Sequence, residues 1–400
     1  MRVNLMERSS AAVAAPGSMT GEAFMRRLWI AAIVSFLLGI APGAAEALAQ
    51  SGPTTAQKAA VRDGQHDFDF EAGSWNIHLR KLLHPLSGST AWVDFDGTSA
   101  TRSIWGGRGF LEQFETDGAA GHIEGLTLRL YDPQSQQWRL YWANSKDGVM
   151  ETPMIGAFRN GRGEFFDQEL LNGRAIYVRF IWSKITANSA HFEQSFSDDG
   201  GKTWEVNWIT DQTRTGPEPS WSQAQDNRPS TPDSGEGAAP DAAQQAFAFD
   251  AGRWTMQMKR LADPLSGSQS WYEMSGRSVV EQVWGGRANL ALVEADGPKG
   301  HLELLALRLY QPQARQWSIF FATSVGGVLS VPCVGRFSDG RGEFYDQEAF
   351  HDRSILVRFR IWPVSPDSFT SDQAFSDDGG KTWETNWVNT GTREGKGEAQ

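Results

Sequence analysis

The chain repeats itself at one fixed interval. FEAGSW at Phe70 returns as FDAGRW at Phe249, and PLSGS at Pro85 returns at Pro264. WGGR at Trp105 returns at Trp284, LRLY at Leu128 returns at Leu307, and GRGEF at Gly161 returns at Gly340. DQE at Asp167 returns at Asp346, and SDDGGKTWE at Ser197 returns at Ser376. Every pair lies 179 residues apart, with one compensated single-residue slip near Trp182 and Trp362. That interval far exceeds the roughly 20–50 residues of a solenoid or propeller unit. Each copy, about 145–150 residues long, is the size of a whole domain. Whatever one copy folds into, the chain must build it twice.

Each copy reads as a succession of short strands. SWNIHLRKL, HIEGLTLRLY, RGEFFDQE and KTWEVNWI are rich in aromatic and β-branched residues, and turn residues separate them. Period-two alternation puts Leu126, Leu128 and Leu130 on one strand face and Thr127, Arg129 and Tyr131 on the other. The same rule puts Trp204 and Trp208 on one face. No amphipathic helix of ten residues occurs inside either copy. With 42 Gly and 17 Trp the composition also favours tight turns and bulky cores. The fold class expected is all-β: two tandem antiparallel up-and-down barrels of about ten strands each, closed so that no edge strand is exposed.

The flanks carry other signals. Leu28–Ile40 is a 13-residue apolar run behind Arg26 and Arg27, followed by Ala47-Leu48-Ala49. It is short for a membrane span, and the pattern is that of a secretory signal peptide over residues 1–49, with Met25 as an alternative start. The expected address is therefore the periplasm or exterior of a bacterium, with no stable membrane span after cleavage. Residues 50–65 form a polar lead-in, 66–214 the first barrel, 215–245 a disordered Pro-rich linker, 246–394 the second barrel and 395–400 a tail. The 37 basic and 48 acidic residues give a net charge of −11 with no basic tract, which excludes a nucleic-acid footprint. One cysteine, Cys333, excludes an internal disulfide, and its apolar surroundings read as core.

Gly73-Ser74-Trp75 on the opening strand and Thr213-Arg214 on the last recur as Gly252-Arg253-Trp254 and Thr392-Arg393. This resembles the lipocalin and fatty-acid-binding (calycin) superfamily. The resemblance implies that the Trp packs beneath the Arg and closes one end of a ligand-holding cup. The opening F-x-F…G-x-W is also similar to exported bacterial domains of unknown function. Ser197, Asp199, Gly201 and Trp204, with Ser376, Asp378, Gly380 and Trp383, fit S-x-D-x-G-x-T-W. That resembles the Asp-box of sialidases, which implies a structural hairpin rather than catalysis.

Candidate ligand contacts are the polar and aromatic residues set into strands: Trp92, Arg129, Tyr131, Trp142, Glu164 and Arg179, with Trp271, Arg308, Tyr310, Glu343 and Arg358. Alternation alone leaves their faces open. Arg179 and Arg358 are expected inside, and most of the other charges outside. His122 and His301 are the one histidine pair at a shared repeat position, each two residues before a Glu. No nucleophile elbow, phosphate loop or metal spacing appears, so no catalytic residue, metal or cofactor is assigned. The reading is a barrel that binds a small, mostly apolar or aromatic molecule. The alternatives are an isomerase, cyclase or hydrolase using Arg, Glu or His in the barrel, or a structural or interaction protein of the envelope. Convergence of Arg179, Glu164 and His122 would favour an enzyme. Trp142 and Gly125 become Phe321 and Leu304 in the second copy, so the first barrel is expected to be roomier.

Overall fold

The computed structural model describes residues 63–221 and 242–395. The expected signal segment, most of the lead-in, the middle of the linker and residues 396–400 lie outside the described residues. The rest is built as two closed antiparallel barrels of ten strands each, every strand bonded to its neighbours in sequence and the first to the last.

In the first barrel β1 is Gly73–Leu82, β2 Trp92–Ile104, β3 Gly109–Gly118, β4 Gly121–Asp132 and β5 Gln137–Asn144. It continues through β6 Met154–Arg159, β7 Arg162–Leu171, β8 Arg174–Ser183, β9 Ser189–Ser197 and β10 Glu205–Gly216. The second barrel runs from β11 (Gly252–Leu261) to β20 (Glu384–Arg393). Its β14 is Gly300–Gln311, β17 Arg341–Phe350 and β18 Arg353–Ser365.

Both barrels are stoppered at one end by the same device. In the first, the Trp75 indole donates to the Glu71 carbonyl at 2.9 Å. The Arg214 guanidinium lies 4.1 Å from the Trp75 ring. It also donates to the carbonyls of Ala72 (2.6 Å), Phe70 (2.5 Å) and Ala187 (2.8 Å). A planar cation can stack and bond in one pose, so it suits this place better than an ammonium. Arg393 stands 4.2 Å over Trp254 in the same arrangement. Phe68, wholly buried, plugs the barrel from below, 5.0 Å from Trp138 and 4.9 Å from Phe158. Burying such a ring is worth about 2–3 kcal/mol.

Register departs from the simple reading in two places. A bulge between Val206 and Trp208 resets the alternation of β10. Trp204 consequently lies outside, against Phe166 and Arg179, while Trp208 lies inside beneath Lys81. The two do not share a face. The supposed slip near Trp182 also leaves the pairing unshifted: Trp182 pairs with Gly163, and Ile361 with Gly342. Trp362 therefore falls on the outer face, under Arg341. One residue along a strand is a change of side.

The barrels meet through an apolar interface. Leu126, Leu128 and Leu130 of β4 join Leu305, Leu307 and Leu309 of β14 in one buried cluster with Trp105 and Trp284. Both faces of β4 are thus buried, one by its own lumen and one by the other barrel. The contact is isologous, each copy offering the same patch. Arg108 bonds Glu303 at 2.6 Å, and its equivalent Arg287 bonds Glu124 at 2.6 Å. Arg102 meets Glu281, which occupies the same position in the other copy. Gly148 and Gly327, both at positive φ, each press against the other barrel's Tyr310 or Tyr131 carbonyl, where a Cβ would sit at 1.9 Å. Within the stretch expected as linker, Trp221 is held by the Ser103 carbonyl (2.8 Å) and stacked on Arg102.

Candidate functional site

The phase of alternation is fixed by Trp75, which points inward. Through the register, Ile77, Leu79 and Lys81 follow it on β1, and Phe95, Gly97, Ser99 and Thr101 on β2. Phe110, Glu112, Phe114 and Thr116 face the lumen from β3, and Thr127, Arg129 and Tyr131 from β4. Trp138, Leu140 and Trp142 face it from β5. Phe165, Asp167 and Glu169 face it from β7, and Val178, Phe180 and Trp182 from β8. Thr210, Gln212 and Arg214 complete the wall from β10.

At the closed end a guanidinium is bonded to one carboxylate and stands near a second carboxyl group. Arg129 donates to Glu112 at 2.6 Å, and Glu71 stands 4.0 Å away. Arg129 and Glu71 are 1% and 0% exposed. Burial, reinforced by Glu112 and opposed by Arg129, pushes the Glu71 carboxyl up to about 8. The second copy keeps one carboxylate: Asp250 meets Arg308, and Ala291 stands where Glu112 does.

Above this floor the first lumen is crossed by polar side chains. Ser99, Thr101, Thr116 and Gln212 are buried, and their side-chain oxygens have no protein partner. The Nε and Nη1 of Arg129 and the Nε1 of Trp182 have none either. The buried apolar side chains of this barrel fall into two clusters, side by side. One contains Phe68, Phe110, Trp138 and Trp182, the other Ile77, Leu79, Phe95 and Phe114. In the second barrel a single cluster spans the lumen from Trp254 through Met256, Ile361 and Phe369.

The mouth of the first barrel gathers further charge. Lys81 stands over Trp208 at 5.3 Å, and its ammonium is lowered by burial. Asp167, with both carboxylate oxygens buried and unpartnered, is pushed up to about 7 by burial and by Glu169 and Glu151. Glu151 is likewise pushed up to about 7 by burial, then by Glu169. At the second mouth Arg260 lies 4.0 Å over Trp387, and Asp346 accepts from the Cys333 thiol at 2.9 Å.

Of the ligand contacts expected from sequence, Arg129, Tyr131, Trp142, Arg308 and Tyr310 face a lumen. Tyr131 bonds Asp63 at 2.5 Å, and burial together with that bond raises its hydroxyl to about 12. Trp142 lies over Gly125, where a Cβ would meet the indole at 2.2 Å. Leu304 and Phe321 trade that volume in the second barrel. Trp92 lies outside under Arg80, and Trp271 is 40% exposed at the start of its strand. Glu164 and Glu343 lie outside, the latter bonded to Tyr345. Arg179 and Arg358, expected inside, are on the outer wall, 4.4 Å from Trp204 and 4.8 Å from Trp383. They pair across the strands with half-exposed Phe166 and Tyr345, which fixes their side. His122 is also outside, bonded to Asp117 at 2.9 Å, so Arg179, Glu164 and His122 do not converge.

The structural assignments can be described atom by atom. The Ser197 hydroxyl donates to Asp199 (2.8 Å) and accepts from the Gly201 amide (2.9 Å). Asp199 further accepts from the Lys202 and Thr203 amides and the Thr203 hydroxyl, which holds its carboxyl well below the usual range. The Trp204 indole donates to the Gly201 carbonyl. Ser376, Asp378, Gly380 and Trp383 repeat these bonds. Two surface concavities of about 580 and 550 Å³ lie on the outer wall and a rim hairpin of the second barrel, not in a lumen. Among the described residues no group of three His, Cys, Asp or Glu is placed to hold a metal, and no helix is long and apolar enough to cross a membrane.

Fold and stopper together define the class: tandem calycin-like barrels fused face to face. No family model and no curated protein matches the chain. Solved structures with likeness include an S-type phycobiliprotein lyase from Guillardia theta, 15% identical over 37% of this chain and 90% of that one, with a TM-score of 0.27. A redesigned β-barrel bound to DFHBI is 13% identical over 37% and 99%, with a TM-score of 0.22. A protein of unknown function from the DUF3598 family of Nostoc punctiforme is 11% identical over 84% and 100%, with a TM-score of 0.22. At such values these likenesses say nothing about a ligand or a reaction.

Proposed function

We propose that the chain is an exported binding protein that takes a small, mostly apolar or aromatic molecule into the lumen of its first barrel. One observation carries this reading: the first lumen holds buried polar atoms without protein partners at Ser99, Thr101, Thr116, Gln212, Arg129 and Trp182, and four of these positions are apolar or glycine in the second barrel, which keeps such atoms at Asp250, Arg308 and Asn389. Buried polar groups cost free energy unless something bonds them. The aromatic walls offered by Phe114, Trp142 and Trp208 suit a flat or apolar guest.

The test is native mass spectrometry of the protein purified from its host, followed by organic extraction. The expected result is one adduct per chain that survives gentle ionisation and is released on denaturation. A bare polypeptide mass contradicts tight binding.

A second reading, an enzyme, is favoured by the mouth carboxyls. Asp167, its carboxyl oxygens buried and unpartnered, stays partly protonated near neutral pH beside Glu169, as a general acid would. Incubating the extracted molecule with fresh protein separates the two readings: a binder returns it unchanged, an enzyme alters its mass.

A further inference from the structure

We infer that the first lumen is shaped for a neutral molecule bearing a hydroxyl or carbonyl group, and that the second barrel has lost this site. The inference rests on the binding reading above and names the chemistry of the guest. The polar belt offers donors from Arg129 and Trp182, an acceptor from Gln212, and hydroxyls that do either from Ser99, Thr101 and Thr116. All six side chains are at least nine-tenths buried. A hydroxyl or carbonyl can answer this mixture, whereas a purely apolar guest would leave it unbonded.

Charge is excluded by what surrounds the belt. Arg129 already has Glu112 at 2.6 Å and Glu71 at 4.0 Å. An anion would meet the Glu112 carboxylate that already balances Arg129, and a cation would meet the guanidinium, with apolar walls on either side. A buried charge without its own counter-charge is not tolerated there.

The second barrel shows how the same frame looks without the site. Val280 stands at the position of Thr101, Ala295 at Thr116, Ala291 at Glu112 and Ile361 at Trp182, all buried. Gly391 replaces Gln212, and Phe369, in place of Ala190, lays its ring where a Gly391 Cβ would sit, 2.2 Å away. That ring packs edge-on to Trp254 at 4.8 Å, so protein atoms fill the volume. Some polarity remains inside: Asn389 and Ser371 bond one another at 3.0 Å, Arg308 bonds Asp250 and Asn289, and Asn389 Oδ1, Asp250 Oδ1 and Arg308 Nε have no protein partner.

The experiment uses the full chain and four matched probes: naphthalene, 1-naphthol, 1-naphthoate and 1-naphthylmethylammonium, titrated by calorimetry and tryptophan fluorescence. The expected result is one 1-naphthol per chain, bound about tenfold more tightly than the other three, the worth of one or two satisfied hydrogen bonds. Thr101→Val and Thr116→Ala, which install the second barrel's residues, should each weaken 1-naphthol several-fold and leave naphthalene unchanged. Near-UV circular dichroism checks the fold of each variant, and either one alone suffices for the test. Equal binding of 1-naphthol and naphthalene, or preference for a charged probe, overturns the inference and leaves lumen binding standing. Two equivalents per chain overturn the asymmetry. No binding of any probe overturns both the inference and the lumen reading.

Discussion

Glu71 holds its proton to about pH 8 because burial outweighs the attraction of Arg129, against an ordinary value of 4.5. The folded state thus binds this proton more tightly than the unfolded one. The stabilisation is complete below about pH 4.5 and is lost as the pH rises through about 8. We expect urea stability to fall by about 1.4 kcal/mol between pH 7 and pH 9, the tail of a larger fall that begins near pH 4.5. Glu71→Gln keeps the shape without the proton and should flatten that slope, while the slope nearer pH 7 from Asp167 and Glu151 remains. An unchanged slope in the variant would show that Glu71 is ionised in the fold. At the stopper, Arg214→Lys loses the stacked plane and part of the carbonyl cradle. It should cost about 2–3 kcal/mol in urea unfolding, and Arg393→Lys a similar amount.

At the scale of the element, each β-hairpin closed by Asp199 or Asp378 is a small structure held by its own carboxylate. Asp199→Ala should abolish hydrogen-exchange protection at the amides of Lys202 and Thr203, whose hydrogen bonds it accepts, and leave the lumen tryptophans unchanged. Because the carboxyl is held low, stability from these bonds is present above the ordinary value of 3.8 and persists well below it. The wild-type hairpin should therefore stay protected at pH 3, where ordinary carboxylates are half-protonated or more. The strands were legible because period two is strong in segments such as β4 and β7, and the repeat doubles every signal. Which face of a strand looks inward was less legible. Leu126, Leu128 and Leu130 are buried by the other barrel, so hydrophobicity marks both faces of β4 and cannot pick the lumen. The bulge beside Trp208 and the lone residue separating Trp182 from Trp362 reverse a side chain without any local signature. The polar belt had a usable signal in the comparison of the two copies: Thr101 against Val280, Glu112 against Ala291 and Thr116 against Ala295, in phase with Trp75. Glu164 is on the outer face of β7, while Asp167 and Glu169 on the other face point inward.

For the whole molecule, the repeat builds one structure whose two halves share a frame and differ in the side chains of the lumen. The halves share a buried leucine layer and ion pairs of opposite sense, so they should unfold together. Leu128→Glu places a charge in that layer and should split a single denaturation transition into two. Arg102→Glu should destabilise the chain by opposing two acids, and Arg102→Glu with Glu281→Arg should recover most of the loss, since the pair is buried at the junction. The central claim is that the first lumen receives a guest and the second is filled by the protein itself. A high-resolution crystal structure of the chain purified from its host tests it most directly. We expect ordered non-protein density bonded to Thr101, Thr116, Arg129 and Gln212, and none between Trp254 and Phe369. A first lumen closed by its own side chains, or density in the second barrel alone, would contradict it.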